Sequence, residues 1–485
     1  MAVLLTMPSL DRRVFLQNAV FLVAPHFSGL RHINLALAVL HPILNGFSLT
    51  TQVFVSSLLA YRAFQFYFMG AAFQNPYFLA LQTMFGFFLT AFLFPPLAIP
   101  PPNGPYKVGV IDTYVKMKRE HPRHGGNQYL KVRVLYPTQV TTKKEIYLPQ
   151  GTRICTEFMS FGAPPPLKPM GFLLHYWTLI RSRFNRDAPL ISSDRIAQLP
   201  TVVYSHGLGA TTNLYSVQAG NLASHGWVVF LVEHMDRSCM ITHDHNGNEV
   251  PYDKSVVKLR DGDKDTPEYV RARRGQCDIR CHEVAELTRY VVDVVATGGE
   301  GIDPKLKPFA GRLMCHDGKV HLMGHSMGGA TSLNACGRFP DLFRSVVVHD
   351  PAVDWVADDV RKDLLKLTSH TGLGGFLDDK SISGGLGKVP LSFVYCDHWK
   401  QLGWGFSAVI EEQVKKNRVG LKGKSDINFL SEGTTHHEFS DNSLIVPLWL
   451  GKLIKNSGPD PDNSALFITE LAMSFFDKAD GLARV

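Results

Sequence analysis

Apolar positions fall into two regimes along the chain. From residue 14 to 102 they run almost unbroken, and Arg31 and Arg62 are the only formally charged side chains there. The stretch Tyr77–Ile99 carries no charge over 23 residues. A helix needs about 20 apolar residues to cross a bilayer, so this stretch is the strongest candidate span, with Pro95 and Pro96 ending or kinking it. Phe47–Phe73 is also long and apolar but holds Arg62 at its centre, which is expensive in lipid. Gln74-Asn75-Pro76 would then turn a helical hairpin. Residues 30–46, with His32 and His41, suit an interface. Phe15–Ala24 has the length of a signal-peptide core, yet Pro25-His26-Phe27 stands where a small-residue cleavage site would follow. A helical cap on a soluble domain is the other reading of the whole region. Arg12 and Arg13 precede it and Lys107, Lys116, Lys118 and Arg119 follow it, which favours two cytosolic flanks and an even number of spans.

A proline-rich connector from Pro95 to Pro105 closes this region, and the pattern changes after it. The expected division is therefore residues 1–102, hydrophobic, helical and membrane-embedded, and residues 103–485, a second domain. In the second domain Leu130–Pro137 alternates as a strand does, and Thr201–Ser205, Trp227–Glu233, Val320–Gly324, Ser345–His349 and Leu391–Cys396 are short apolar runs bounded by glycine or polar residues. A long helical stretch spans Glu268–Ala296. Continuous apolar strands alternating with helices predict an α/β fold, a mostly parallel sheet with helices on both faces. Residues 237–266 and 355–388 are polar or glycine-rich and read as loops.

Composition narrows the classes. The chain has 485 residues, 45% hydrophobic and 19% charged, with net charge +7 from 50 basic and 43 acidic side chains. That excludes a disordered chain. The basic excess is too small for the length to mark a nucleic-acid binder, though it suits anionic lipid. Seven scattered cysteines do not form a disulfide framework. Neither a phosphate loop nor a dinucleotide fingerprint is present, so no cofactor is expected. Cys277 and Cys281 with His282 lack the further ligands of a metal site and read as buried thiols, and His243 and His245 read as a surface turn, so no metal is expected.

The sharpest chemical signal is Gly324-His325-Ser326-Met327-Gly328, directly after the run VHLMG and before a helical segment. Strand, G-x-S-x-G and helix make the nucleophile elbow of the α/β-hydrolase fold, in which tight backbone excludes side chains on either side of the serine. A serine hydroxyl needs a base and an orienting acid, and this fold supplies them in the order serine, acid, histidine. Asp350 follows the next apolar strand, with Asp354 as competitor. Beyond it stand His370, His398, His436 and His437, and the Gly433-Thr434-Thr435 turn makes the adjacent pair the best placed; local pattern does not separate His436 from His437. The run TVVYS leads into His206-Gly207-Leu208-Gly209-Ala210, where close backbone approach is possible. The backbone N–H groups of Leu208 and Met327 are the expected oxyanion donors.

These motifs resemble the platelet-activating factor acetylhydrolases of the plasma and intracellular type II kind. The resemblance rests on S-H-G-L-G-A at 205–210, N-L-A-S-H-G-W-V-V at 221–229, V-E-H-M-D-R-S at 232–238, G-H-S-M-G-G-A-T at 324–331, F-R-S-V-V-V-H-D at 343–350 and G-T-T-H-H-E-F-S-D at 433–441. It runs from about 103 to 478 in consistent order and does not cover residues 1–102. It implies an α/β-hydrolase with a Ser326, Asp350, histidine triad that cleaves acetyl, short or oxidised acyl chains from the sn-2 position of phospholipids without calcium. The pattern G-x-x-H-x-x-F-x-D falls on Gly433, His436, Phe439 and Asp441, which selects His436. Met327 stands where such proteins often carry a larger aromatic.

Met170–Ile180, apolar with Arg181, Arg183 and Arg186 following, occupies the place of a helix that rests on lipid surfaces in that family. Phe172, Leu173, Tyr176 and Trp177 are the expected lipid contacts; a core helix is the competing reading. The chain is thus expected to be a membrane-anchored esterase with a phospholipid substrate, its catalytic domain cytosolic. The alternatives are a carboxylesterase on non-lipid esters and a non-catalytic membrane scaffold.

Overall fold

The computed structural model describes residues 99–119, 128–162, 171, 174, 177–178, 180–262, 265–315, 317–370, 385–397, 426–429, 433–446, 448–453 and 456–481. The candidate spans Phe47–Phe73 and Tyr77–Ile99, the latter except for Ile99, and the orientation drawn from them lie outside the described residues. Among the described residues no helix is long and apolar enough to cross a membrane.

The chain divides into two compact units. The larger comprises Pro102–Lys144, Phe184–Asn442 and Lys455–Val485, and the smaller joins Glu145–Arg183 and Ser443–Ile454 to the segment ending at Pro101. The division between Pro101 and Pro102 falls within the proline connector, and two segments inside 103–485, Glu145–Arg183 and Ser443–Ile454, group with the smaller unit. Nothing in their composition resembles a linker, so no local signal marks them.

The strands of the larger unit are β1 (Lys107–Lys116), β2 (Tyr129–Thr138), β5 (Leu199–Ser205), β6 (Val228–Glu233), β9 (Leu313–Met314), β10 (Val320–His325), β11 (Phe343–His349), β12 (Leu391–Tyr395) and β13 (Asp426–Phe429). β3 (Lys144–Ile146) and β4 (Arg181–Arg186) straddle the unit boundary, and β7 (Ile241–His243) and β8 (Glu249–Pro251) form a separate hairpin. The sheet runs β13-β12-β11-β10-β5-β6-β2-β1, with Asn185 and Arg186 at the end of β4 beside β1. From β13 to β6 all neighbours are parallel, and β2 lies antiparallel to both β6 and β1. Every residue of β5, β6 and β10 is buried, which is why these strands read as continuous apolar runs rather than alternating ones.

Helices α1 (Thr152–Gly162), α2 (Ser216–Ser224), α3 (Pro267–Tyr290), α4 (Met327–Arg338), α5 (Asp358–His370) and α6 (Pro461–Ala479) complete the architecture. α3 packs on α4, and α2 on α6. α3 starts where its sequence says it should: Thr266 accepts the Tyr269 N–H at 3.1 Å, Pro267 opens the first turn and Glu268 sits in it. It gives way at Val291–Val295 to a π-turn in a β-branched run, short of the expected end at Ala296. α6 buries Ala465, Ile468, Ala472, Phe475 and Phe476 at helical spacing. The Phe476 ring meets Trp227 at 5.3 Å and His321 at 4.6 Å. Truncating it to alanine would cost about 3–5 kcal/mol.

Two segments expected as loops are not loops. Residues 237–266 hold the β7–β8 hairpin, whose three-residue strands are too short to show alternation. Its turn is fixed by Asp244, whose N–H reaches the Asn248 carbonyl at 2.9 Å. Residues 355–388 hold α5, whose acidic first turn, Asp358 and Asp359, starts a helix although in sequence its polarity resembles that of a loop.

Candidate active site

β10 delivers Ser326 at its C-terminal end with φ 57° and ψ −118°, a conformation that costs a non-glycine residue about 1–3 kcal/mol. The fold holds it there from three sides. The Ser326 N–H reaches the His349 carbonyl at 2.9 Å, and the Ser326 carbonyl accepts the N–H groups of Ala330 at 3.1 Å and Ala352 at 3.0 Å. The flanking glycines are sterically required. A Cβ on Gly324 would fall 2.3 Å from the Gly328 carbonyl oxygen, and one on Gly328 would fall 2.1 Å from that of Ser205.

Asp350 leaves the neighbouring strand β11 with φ 38° and is 1% exposed. Its N–H donates to the Val394 carbonyl at 2.9 Å, tying it to β12. One carboxylate oxygen accepts the Cys396 N–H at 2.9 Å, and the other lies 2.9 Å from His436 Nδ1. The acid beside His436 is therefore Asp350, while the competitor Asp354 presents its carbonyl to Arg274 Nε at 3.0 Å. His436 opens a short 3-10 turn, His436–Phe439, capped reciprocally by Thr435 and Glu438. With Nδ1 facing Asp350, Nε2 is the nitrogen left to exchange a proton. His437 stands apart: its carbonyl accepts from Ser440, and burial followed by the charge of His436 pushes its imidazole down to about 4. The side chains of His370 and His398 lie outside the described residues.

Phe439 and Asp441, the remaining members of the same sequence pattern, have structural work. The Phe439 ring stacks on His349 at 4.9 Å and meets His325 at 5.5 Å. Asp441 caps α2 from a distance, accepting the Ser216 N–H at 2.9 Å and the Val217 N–H at 3.1 Å.

The loop after β5 is pinned on both sides of Leu208. The Gly207 N–H donates to the Tyr215 hydroxyl at 2.8 Å and the Gly209 N–H to the Ser238 carbonyl at 2.8 Å. The Leu208 N–H between them has no partner among the described residues. The Met327 N–H is the first of α4, where the helix supplies no acceptor. Both groups named from the sequence as oxyanion donors are thus unspent.

Behind this loop lies a buried polar frame that sequence reasoning missed. Arg280 Nη1 donates to the His206 carbonyl at 2.7 Å, and its Nε pairs with Asp236 at 3.0 Å; both charged side chains are fully buried. Ser205 Oγ lies 2.8 Å from His234 Nε2, and His234 Nδ1 lies 2.6 Å from Glu283 Oε2. Serine, histidine and acid here repeat the connectivity of a catalytic array, but all three side chains are sealed from solvent. The only sequence signal for this frame is the spacing of Cys277, Arg280 and Glu283 along one face of α3, polar residues at core positions. Burial followed by the Arg280 charge holds the His206 imidazole down at about 4.

Of the expected lipid contacts, Phe172, Leu173 and Tyr176 lie outside the described residues. Trp177 is not a surface ring. It is 1% exposed, donates its indole N–H to the Ile445 carbonyl at 2.8 Å and packs edge-on against Phe158 at 4.7 Å. An aromatic beside basic residues reads equally as an interface or a core, and here the core wins. Cys277 and Cys281 are free and buried, with thiols pushed up to about 12 by burial. Among the described residues no cluster could hold a metal ion.

The family described as platelet-activating factor acetylhydrolase, isoform II, matches residues 93–368, a span that includes Leu208, Ser326, Met327 and Asp350 and ends before His436. A platelet-activating factor acetylhydrolase of Cavia porcellus is 24% identical over 399 residues, covering 79% of this chain and 78% of that protein. One from Canis lupus familiaris is 28% identical over 249 residues, 49% of this chain and 51% of that one. A putative phospholipase A2 of Schizosaccharomyces pombe is 26% identical over 226 residues, 42% and 49% of the two chains. Among solved structures, a ferulic acid esterase from Streptomyces cinnamoneus superposes with a TM-score of 0.52 at 15% identity, covering 79% of this chain and 92% of that one. That last likeness is one of fold, an α/β-hydrolase.

Proposed function

The chain belongs to the platelet-activating factor acetylhydrolase isoform II family, and on that premise we propose that it is a calcium-independent serine esterase acting on the sn-2 acyl ester of phospholipids, acetyl or short and oxidised chains foremost. The observation that carries the reading is the 2.9 Å contact of Asp350 with His436 Nδ1 at the strand ends that also bear the Ser326 elbow.

In this reading Ser326 Oγ attacks the sn-2 carbonyl carbon while His436 Nε2 takes the hydroxyl proton. Asp350 keeps the proton on Nδ1 and stabilises the imidazolium. The N–H groups of Leu208 and Met327 receive the negative oxygen; one such donor is worth roughly 3 kcal/mol of transition-state stabilisation. Collapse of the tetrahedral intermediate expels the lysophospholipid alkoxide, which leaves with the proton from His436. Water, deprotonated by the same imidazole, then hydrolyses the acyl-serine and restores the hydroxyl. No step calls for a metal. We further place the enzyme at a membrane, anchored by the apolar segment of residues 14–102 with the catalytic domain cytosolic; the charge-poor sequence supports that placement.

The decisive experiment measures acyl release from a phosphatidylcholine bearing sn-2 acetyl and from one bearing a long sn-2 chain, using detergent-purified protein with calcium chelated, beside Ser326→Ala. Acetate release that the variant lacks is the expected result. Release from neither lipid, with normal fluorophosphonate labelling of Ser326, would overturn the substrate assignment and point to a non-lipid ester. Carbonate extraction of membranes followed by protease protection tests the anchor and its orientation.

A further inference from the structure

The peptide at Gly207 lies against both the nucleophile and its neighbour. A Cβ built on Gly207 would fall 2.9 Å from the Tyr215 hydroxyl oxygen, 3.3 Å from His325 Nδ1 and 3.4 Å from Ser326 Cβ. Of the contacts described above that pin the loop carrying Leu208, those from Arg280 and Ser238 come from behind it. The third is different. The Tyr215 hydroxyl accepts the Gly207 N–H at 2.8 Å and sits 2.7 Å from His325 Nδ1, in the residue immediately before Ser326.

Proton accounting fixes the direction of this chain. A backbone N–H can only donate, so the Tyr215 oxygen is an acceptor towards Gly207. Among the described residues the one other group at that oxygen is His325 Nδ1, so placing the Tyr215 proton on Nδ1 satisfies the hydroxyl, with the His325 proton on Nε2, a buried nitrogen that has no hydrogen-bond partner among the described residues. The result is a directed series, Gly207 N–H to Tyr215 O–H to His325 Nδ1, whose members polarise one another in a dry interior. Tyr215 and His325 are 1% and 4% exposed. The His325 ring also packs 4.5 Å from the His436 ring, so one residue touches the elbow, the base and the oxyanion loop.

We propose that Tyr215 and His325 are positioning residues that set the distance between the Leu208 N–H and the Ser326 reaction centre by linking the oxyanion loop to the nucleophile elbow through one shared hydroxyl. The inference rests on the esterase reading above. The linkage acts on the transition state: the oxygen of a bound ester carbonyl moves towards its donors only as charge develops, so a loop displaced by a few tenths of an ångström lowers kcat more than it weakens binding. Tyr215 is well placed to be stiff. It ends the 3-10 turn Thr212–Tyr215, and the N–H groups of Ser216 and Val217 that follow are held by Asp441, five residues after His436.

The test compares steady-state kinetics per active site, counted by fluorophosphonate titration, for the full chain in detergent. Tyr215→Phe removes one oxygen and keeps the ring. It should lower kcat on the order of tenfold to a hundredfold while leaving KM within about twofold, short of the loss expected for removing an oxyanion donor outright. His325→Asn keeps an acceptor where Nδ1 stood and should remain within about threefold of the parent, whereas His325→Leu should fall as far as Tyr215→Phe. The double variant Tyr215→Phe with His325→Leu should be no slower than either single one, because both cut the same linkage. A Tyr215→Phe enzyme with unchanged kcat per titrated site overturns the proposal, as does a double variant whose losses multiply. If His325→Leu does not fold, Tyr215→Phe and His325→Asn decide the matter alone. Ser326→Ala run in parallel separates the two levels. Activity surviving in that variant overturns the esterase reading itself, whereas activity lost there and unchanged in Tyr215→Phe overturns the linkage only.

Discussion

Asp350 holds His436 by one carboxylate oxygen and the Cys396 N–H by the other, each at 2.9 Å, so neither oxygen is free to exchange roles. This asymmetry decides what Asp350→Asn should do. The amide oxygen must stay on the Cys396 N–H, because only an acceptor suits that position. The amide NH2 then faces His436 Nδ1 and forces the ring proton onto Nε2, the nitrogen that has to accept the proton of Ser326. The expected loss in kcat is roughly 10³–10⁴-fold with the fold retained. Turnover with unchanged circular dichroism is the check, and a variant within tenfold of the parent would remove Asp350 from the mechanism.

The neighbouring histidines should separate cleanly. His436→Ala removes the imidazole hydrogen-bonded to Asp350 and should reduce turnover about as far as Ser326→Ala, since members of a triad act as a unit. His437→Ala removes a ring that burial already holds neutral, while the imidazole hydrogen-bonded to Asp350 is that of His436. It should leave kcat within a few-fold, about 1 kcal/mol or less in activation free energy. Equal losses, or the reverse ranking, would refute the choice of base.

The ease of finding these residues differs for physical reasons. Ser326 is marked by short-range constraints: the two glycines that spare the Ser205 and Gly328 carbonyls lie within two residues of it, so the motif is complete in five positions. Asp350 needs only the end of an apolar run, because strand ends in a parallel sheet gather at one edge. His436 needs more, since the strand pattern after Leu391 is interrupted and two adjacent histidines compete. The frame around Arg280 and Glu283 was illegible. Each is a charged residue on a helix, ordinarily a solvated position, and their partners Asp236, His206 and His234 come from other elements, so only the folded chain shows that the charges meet. Trp177 failed for the opposite reason: its sequence neighbourhood suits two environments equally.

The sealed array of Ser205, His234 and Glu283 offers a direct contrast with the site at Ser326. Connectivity alone would make Ser205 a second nucleophile, but it is fully buried and its hydroxyl is committed to His234. Ser205→Ala should keep fluorophosphonate labelling at Ser326 and most of the turnover. It removes the hydrogen bond between Ser205 and the buried His234 Nε2, which should destabilise the fold by about 1–3 kcal/mol. Urea denaturation and labelling of the same preparation separate the two effects. Residual labelling of Ser326→Ala at Ser205 would contradict the structural role.

Asp441 joins the loop of the base to the start of α2 through two N–H groups. Asp441→Ala removes a helix cap and strands two buried donors, at a cost of about 2 kcal/mol or more. Asp441→Asn retains one acceptor and should lie between the parent and the alanine variant. Since the cap also steadies Tyr215, the asparagine variant should lose activity before it loses its fold, seen as a lowered kcat at temperatures well below its melting midpoint. An asparagine variant that melts early yet turns over normally below that point would confine Asp441 to stability.

Acid should unfold the protein through its buried imidazoles. Burial pushes His349 down to about 3 and, with the charge of Arg280, His206 down to about 4, from an ordinary value of 6.5. The folded state therefore keeps both rings neutral while the unfolded chain takes up protons once pH falls below 6.5. Stability is intact above that value and declines as pH falls towards 4 and 3, by about 1.4 kcal/mol per pH unit for each group. His349 is the instructive case, because neither of its ring nitrogens has a hydrogen-bond partner among the described residues and its ring face rests on Phe439. His349→Leu keeps an apolar side chain there and removes the titration. Its urea midpoint should change little at pH 7.5 and should fall less steeply than the parent's between pH 6.5 and 4.5. A variant with the same pH slope as the parent would mean that His349 carries none of the acid sensitivity. The decline would then belong to the other imidazoles that burial holds down, His206, His437 and His325.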